Sequence, residues 1–501
     1  MKAVSWPWNL IIGADPLGKA ALLVLALVLA VGIAALPVPF AAAAVLGPIA
    51  LVLLLVRPEV GLLFLAFSVP YGSLKEGSTG GFDLAFTEPL VVLVAAIWLI
   101  RGVRERRIVV DSAPLYLPLF LFLGLIAYSL TTAPSLALSA KELIKWVALL
   151  VAYVFVVNNV RSRRVLALLI ALLFLAAISE ALLGLFQFVM KVGPKGFITG
   201  SFLRAYGTFG QPNPYAGYLA IVVAPAFGLA LFSLRLLGRT RPTLSSAQKW
   251  LLLLAWVTLG LGGAAIYASL SRGAWLGLAA SFGVITALSS RRALWIMVAL
   301  LVILAIFLSM GLLQLLPTQI TDRILDATKY FGVFDATKVK LTFENWPIVE
   351  RMAMWQAAWN MFQDNPIFGV GIGNYAVAYP DYRLPLWKEP KGHAHNIYLN
   401  MLAEMGIIGL IAYLALMATF FVHGVRVLRR LSRSSELQFE RYLVIGLLGS
   451  LVVLTAHNFF DNLFVHGIGV QIGVILGLIF VLDRLGRESG SAEPVRRIRT
   501  S

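Results

Sequence analysis

The chain has 501 residues, of which 60% are hydrophobic and 13% charged, and its mean hydropathy is +0.87. Soluble domains run about 45–50% apolar and about 25% charged, so a soluble multidomain protein is excluded and a polytopic membrane protein remains. Cysteine is absent, which removes disulfides, thiolate zinc sites and thiol nucleophiles, while the formal charge of +17 first suggests an acidic partner such as nucleic acid.

A transmembrane helix needs roughly 20 mostly apolar residues. Fourteen stretches approach that length, near 20–36, 38–56, 59–72, 87–100, 115–131, 142–158, 165–189, 213–234, 250–270, 273–290, 293–313, 397–421, 442–458 and 466–483. The third is short and contains Pro70, so it reads as a span or as a re-entrant segment. The apolar run before Ala41–Ala44 superficially resembles a signal peptide. Its leader is long and holds Asp15, and a second apolar stretch follows at once, so the segment reads as retained. The expected fold is therefore all-α, a polytopic transmembrane helix bundle of about 14 spans.

Orientation follows from Lys and Arg. With both termini on one side, 26 of the 41 Lys and Arg residues gather there and 15 lie opposite. The first side then carries nearly the whole +17 excess and reads as cytoplasmic, and the other is close to neutral. The positive balance is thus an orientation signal, and no nucleic-acid partner is expected. The chain divides into a cytoplasmic N-terminal segment (1–19), an N-terminal bundle (20–189) and spans with arginine-bearing outer loops (190–313). A long outer loop (314–396), C-terminal spans (397–483) and a basic cytoplasmic tail (484–501) follow.

Most connections are short. The loop 314–396 is the exception, and its Trp346, Trp355, Trp359 and Trp387 predict a small folded helical cap. Within it Met352, Trp355, Trp359 and Phe362 recur at helical period over Arg351–Phe362. That stripe suits either packing on the bundle or the membrane surface. A shorter outer loop, 190–212, carries Arg204 and leads through Gln211-Pro212-Asn213-Pro214 into the next span, with two prolines stiffening the turn.

Chemistry is expected on the outer side, where the special residues collect. His393 and His395 close the long loop, in Gly392-His393-Ala394-His395-Asn396. A histidine at that boundary suits a proton acceptor near neutral pH, although on spacing alone a helix-start role is the favoured reading. Arg204, Arg272 and Arg351 hold comparable positions in separate loops. Each alone reads as an interface arginine; together they suit a diphosphate, which guanidinium forks bind well. Lys388 and Lys391 add positive charge nearby. His457 and His466 flank Asn458, Asp461 and Asn462 in the last outer turn, where polar structure is favoured over a metal. His423 reads as a solvated helix end. Glu180 lies inside a span, suggesting a polar pairing or an ion path. Gly369-Val370-Gly371-Ile372-Gly373 lacks the strand–turn–helix context of a dinucleotide loop.

His395-Asn396, nine further residues and Gly406-Ile407-Ile408-Gly409 resemble the H-N-x(9)-G-x-x-G signature of the O-antigen ligase/polymerase superfamily. Three blocks agree in order: Arg204-Ala205-Tyr206-Gly207-Thr208-Phe209 with Asn213-Pro214; Ser271-Arg272-Gly273-Ala274-Trp275-Leu276-Gly277; and Arg351 through Trp355 to Pro366-Ile367-Phe368-Gly369-Val370-Gly371. Together they cover roughly residues 200–415. The resemblance implies a metal-independent, inverting membrane glycosyltransferase of the C type, without a cofactor. Such an enzyme moves a glycan from undecaprenyl diphosphate to an acceptor on the periplasmic face of the bacterial inner membrane. It further implies His395 as general base and Arg204 and Arg272 as diphosphate ligands, with Arg351, His393, Asn396 and Lys391 as supporting positions. The acceptor stays open: lipid A core sugar for a ligase, a growing glycan for a polymerase, or a protein hydroxyl for an oligosaccharyltransferase. A bicarbonate-type transporter, suggested by a similar Ser-Arg-Gly block in some relatives, is the reading from another class.

Overall fold

The computed structural model describes residues 60–72, 87–104, 111–238, 243–309, 335–342 and 345–491. Met1–Gly61 separates as one unit and Leu62–Ser501 as another. The first two apolar stretches of the sequence, most of loop 314–345 and the end of the basic tail lie outside the described residues.

Fourteen α-helices are described. They are α1 (Val60–Tyr71), α2 (Thr87–Arg104), α3 (Tyr116–Ser129), α4 (Leu136–Asn159), α5 (Arg163–Met190), α6 (Pro212–Arg235) and α7 (Ser246–Ala268). The rest are α8 (Arg272–Ser289), α9 (Arg291–Ser309), α10 (Trp346–Asp364), α11 (Tyr375–Tyr382), α12 (Ile397–Leu431), α13 (Gln438–His457) and α14 (Ile468–Ser491). The only sheet among the described residues is a two-stranded antiparallel hairpin, β1 (Ile198–Thr199) with β2 (Phe202–Leu203), pairing Ile198 with Leu203. Six helices, α5, α6, α7, α12, α13 and α14, are long and apolar enough to cross a membrane. They fit a multi-pass membrane protein.

Helices α6 and α13 pack extensively on each other and on α8, while α14 lies along α4 and α5 along α7. Small residues permit the close approach: a side chain at Gly446 of α13 would meet the Pro225 backbone of α6 at 2.4 Å. The buried faces are aliphatic, with aromatic rings such as Trp146, Tyr215 and Phe420 filling the wider gaps. Dispersion contacts and helix-to-helix polar bonds hold such a bundle where lipid offers little apolar contrast.

The helices alternate in direction, so two sets of loops form two ends. At one end α1 closes beneath the loop before α6 (Thr208 Oγ1 donates to Pro70 O), and Ser139 near the start of α4 donates to Ile372 O at 2.5 Å. At the other, Arg161 and Arg484 bind Asp111, Arg430 binds Asp483 and Arg163 binds Glu440.

Several sequence expectations change. The third stretch is a helix of 12 residues, about 18 Å long. The stretch expected at 397–421 runs on to Leu431, 35 residues in all, and carries Arg426, Arg429 and Arg430 as helix rather than loop. His423 is thereby buried inside α12 and is not a solvated end. In the long loop, α10 starts at Trp346, five residues before the expected Arg351, because Pro347 suits a first helical turn. Its buried face is Val349, Ala353, Ala357 and Met361, joined by Met354 and Ala358; of the expected stripe only Met352 is buried, and Trp359 is exposed.

Candidate functional site

Arg204 ends the β-hairpin, where its N–H donates to Phe197 O at 3.0 Å. The following loop is fixed from α5. Gln187 Oε1 accepts the N–H groups of Tyr206 and Gly207, its Nε2 donates to Gly207 O at 2.9 Å, and the Glu180 carboxylate accepts from Thr208 N at 3.1 Å and lies 3.0 Å from Thr208 Oγ1. Gly207 has φ +56°, and a Cβ there would stand 2.2 Å from Glu180 Oε2. The Arg-Ala-Tyr-Gly-Thr-Phe block is thus a loop moulded onto buried polar groups of a helix. Glu180 is hydrogen-bonded to that loop, the contact that the polar-pairing reading expects.

So held, Arg204 donates through Nε to Ser269 O at 2.8 Å, in the turn that carries Arg272, and through Nη2 to Asn213 Oδ1 at 3.0 Å. Asn213 stands in the first turn of α6, which opens on Pro212. Its Nδ2 donates to Asp461 Oδ2 at 2.9 Å, and Asp461 Oδ1 lies 3.0 Å from His395 Nδ1. Four side chains from four separate segments therefore form one chain of contacts, Arg204–Asn213–Asp461–His395.

Arg272 begins α8, after Ser271 and the left-handed Leu270 (φ +52°). Its neighbour Gly273 leaves room for the His457 ring, which a Cβ would meet at 2.8 Å. This contact docks the start of α8 against the end of α13, four residues before Asp461.

The histidine segment is equally constrained. Asn396 caps α12, accepting from Tyr398 N and Leu399 N at 3.0 Å each, and Ile397 N donates to Asn458 O at 3.0 Å. His395 itself is left-handed (φ +49°), a conformation uncommon for a side-chain-bearing residue. Its N–H donates to His393 Nδ1 at 3.0 Å, and the two rings stand 4.4 Å apart.

Burial pushes the Asp461 carboxyl up, but the His395 hydrogen bond and the electrostatic surroundings, Arg351 among them, outweigh it and hold the group well below the usual carboxylate range. Asp461 is an anion at neutral pH. Burial, followed by the adjacent His395, pushes the His393 imidazole down to about 3, so it is neutral. Arg351 thus acts on this centre through its field, from α10. Lys391 is taken up by Glu389, 2.6 Å away.

His393, His395 and Asp461 bring three possible metal-ligand atoms within 4.8 Å of one another. The tautomer of His393 argues against their use as a metal site. Because Nδ1 accepts a backbone N–H, the proton of the neutral ring sits on Nε2, the atom facing Asp461 at 3.9 Å. A ligating histidine needs the reverse, a bare nitrogen toward the metal and an N–H behind it.

The motif glycines organise what lies beneath. Gly406 (φ 64°, ψ −163°) interrupts α12. Val370 N and Gly371 N donate to the Ala403 and Glu404 carbonyls at 2.9 and 2.8 Å, and Ile407 N donates to Pro366 O at 2.9 Å. The Gly369–Gly373 segment is therefore a backbone patch on a broken helix. Glu404 accepts from Tyr375 N at 2.9 Å and ties the same loop down.

Sequence reasoning singled out His395, Arg204, Arg272 and Arg351 but missed Asp461 as the partner of His395, and the bridging use of Asn213. The available signal was an acid close to the last outer turn of a nearly neutral face.

Residues 254–414 match the family model described as O-Antigen ligase. That segment contains Arg272, Arg351, His395 and the Gly406 break, while Arg204, Asn213 and Asp461 lie outside it. A comparison with curated proteins finds no match to the chain.

Proposed function

We propose that this chain, which carries an O-antigen ligase family domain at 254–414, transfers a glycan from undecaprenyl diphosphate to an acceptor hydroxyl on the outer, periplasmic face of the membrane. The observation that carries the reading is the contact chain from Arg204 through Asn213 and Asp461 to His395. It couples a candidate anion ligand to a candidate base in a single hydrogen-bonded array.

In this reading Asp461 accepts the Nδ1 proton of His395, fixing the tautomer in which Nε2 carries the lone pair. That nitrogen takes the proton of the acceptor hydroxyl as the oxygen attacks the anomeric carbon. The bond from that carbon to the diphosphate oxygen breaks, and its electron pair leaves with the lipid diphosphate. Attack and departure on opposite faces invert the anomeric centre. Arg204 and Arg272 meet the charge growing on the leaving group; preorganised donors of this kind supply what a metal otherwise would. Arg351 adds positive potential from α10. Asn396 and His393 hold the segment that aims His395, and Lys391, paired with Glu389, contributes at most to the field.

Mass spectrometry of the purified full-length protein tests the donor. The reading expects a co-purifying polyprenyl diphosphate glycan that is retained by His395→Ala and lost from Arg204→Ala and Arg272→Ala. Equal retention by both arginine variants would contradict it. Supplying the purified protein with lipid A core, free glycan repeat or acceptor protein identifies which hydroxyl is used.

A further inference from the structure

A deep cleft lies at the end of the bundle opposite His395. Its volume is about 1020 Å³, and it opens between the C-terminal halves of α6 and α8 and the N-terminal parts of α9 and α13. It exists because α9 packs chiefly on α8 and leaves a wedge beside α6 and α13. The floor is apolar, with Phe227 and Phe282 stacked at 4.0 Å, and Ile296 and Leu300 of α9 form an exposed flank.

One end of the cleft is strongly positive. Arg235, Arg292 and Arg441 line it, and no Asp or Glu does. Arg235 Nη1 donates to Gln438 Oε1 at 3.1 Å and to Tyr442 OH at 3.4 Å. Arg441 donates to Leu288 O and Ser289 O at 2.9 and 3.4 Å and to Ser432 Oγ at 3.1 Å. Every one of these partners is neutral, so three guanidinium charges share the rim without a counter-charge from the lining. Trp295 is 69% exposed on the same turn of α9, and tryptophan favours the headgroup level of a bilayer.

We propose that this cleft is a binding site for one anionic glycerophospholipid of the leaflet facing away from His395, with its phosphate against Arg235, Arg292 and Arg441 and an acyl chain in the wedge. Water is a poor occupant of the apolar floor, and a zwitterionic lipid brings a cation of its own to the three arginines, whereas an anionic lipid brings net negative charge. The site rests on its own residues and is independent of the glycosyl-transfer reading.

Native mass spectrometry of the full-length protein, delipidated in detergent, tests it with phosphatidylglycerol, phosphatidylcholine of the same acyl chains, and inorganic phosphate as probes. Phosphatidylglycerol should be retained in preference to phosphatidylcholine. Arg292→Gln, at an exposed position, should weaken its retention by about fivefold, the worth of one arginine beside an anionic headgroup. Ala293→Trp should weaken it comparably with all three arginines kept, by filling the wedge. Retention of phosphatidylcholine equal to that of phosphatidylglycerol would overturn the proposal, as would unchanged retention in both variants. Full displacement of the lipid by equimolar inorganic phosphate would mark a free-anion site and overturn the lipid assignment.

Discussion

His395 was legible from its motif, but the carboxylate it touches was not. Its partner Asp461 is 66 residues away in sequence and sits among Asn458, Asn462 and His466 in a turn that reads as generic polar structure. Only the folded chain brings that turn under the start of α12. The same holds for His393, whose Nδ1 accepts the amide of a left-handed His395. This contact predicts a selective pattern. The Oδ1 of asparagine stands where histidine has Nδ1, so His393→Asn should keep transfer within a few-fold of wild type, whereas His393→Leu should lose about tenfold or more as the backbone relaxes. A pH signature accompanies it. The folded His393 titrates at about 3 and the unfolded one at its ordinary 6.5, so between those values only the unfolded chain takes up the proton. Thermal stability of the wild type should therefore fall as pH drops from 6.5 toward 3. Asp461, held low in the fold, adds to the loss once pH passes below the ordinary carboxylate value. His393→Asn should flatten the higher part of this fall; a pH profile of its unfolding midpoint parallel to that of wild type would refute the assignment.

At the scale of elements, long apolar helices were readable and their faces were not. In a membrane chain, apolar residues face both lipid and core, so periodicity alone does not say which side is buried. On α10 the tryptophans drew attention to one stripe, while the packed side is built from Ala353, Ala357, Ala358 and the methionines beside them, where small residues allow close approach. The Gly-x-x-Gly block was recognised as a signature, but its physical content appears only in the break of α12. Gly406 occupies a region of backbone space that is essentially glycine-only. A Cβ there would lie 2.3 Å from the Ile367 carbonyl carbon. Gly406→Ala should cost about 1–3 kcal/mol of stability and expose the 366–373 segment to protease while leaving the other loops protected. Unaltered stability together with an unaltered cleavage pattern would remove the break from the account.

Across the whole molecule the charge asymmetry of the sequence has a spatial counterpart. The arginines assigned to one side do cluster in space: Arg161, Arg163, Arg430, Arg484 and Arg487 pair with Asp111, Glu440 and Asp483 at one end of the bundle. The near-neutral loops meet at the other end, around His395. What sequence could not deliver was helix length, since α12 continues as an amphipathic helix beyond its apolar stretch, and the arginine-rimmed cleft, since its lining comes from distant segments. The natural absence of cysteine makes the orientation directly testable. In intact spheroplasts a membrane-impermeant maleimide should label Lys388→Cys, and it should label Arg433→Cys only after permeabilisation. The opposite pattern would invert the topology and move the proposed chemistry to the cytoplasmic face.

The most direct measurement is glycan transfer by purified protein supplied with its lipid diphosphate donor and a hydroxyl acceptor, comparing wild type, His395→Ala and Asp461→Asn. The account predicts that His395→Ala abolishes transfer while donor binding persists. It predicts a loss of about 100-fold or more for Asp461→Asn, in keeping with the usual worth of general-base catalysis. Transfer by His395→Ala at the wild-type rate would contradict it.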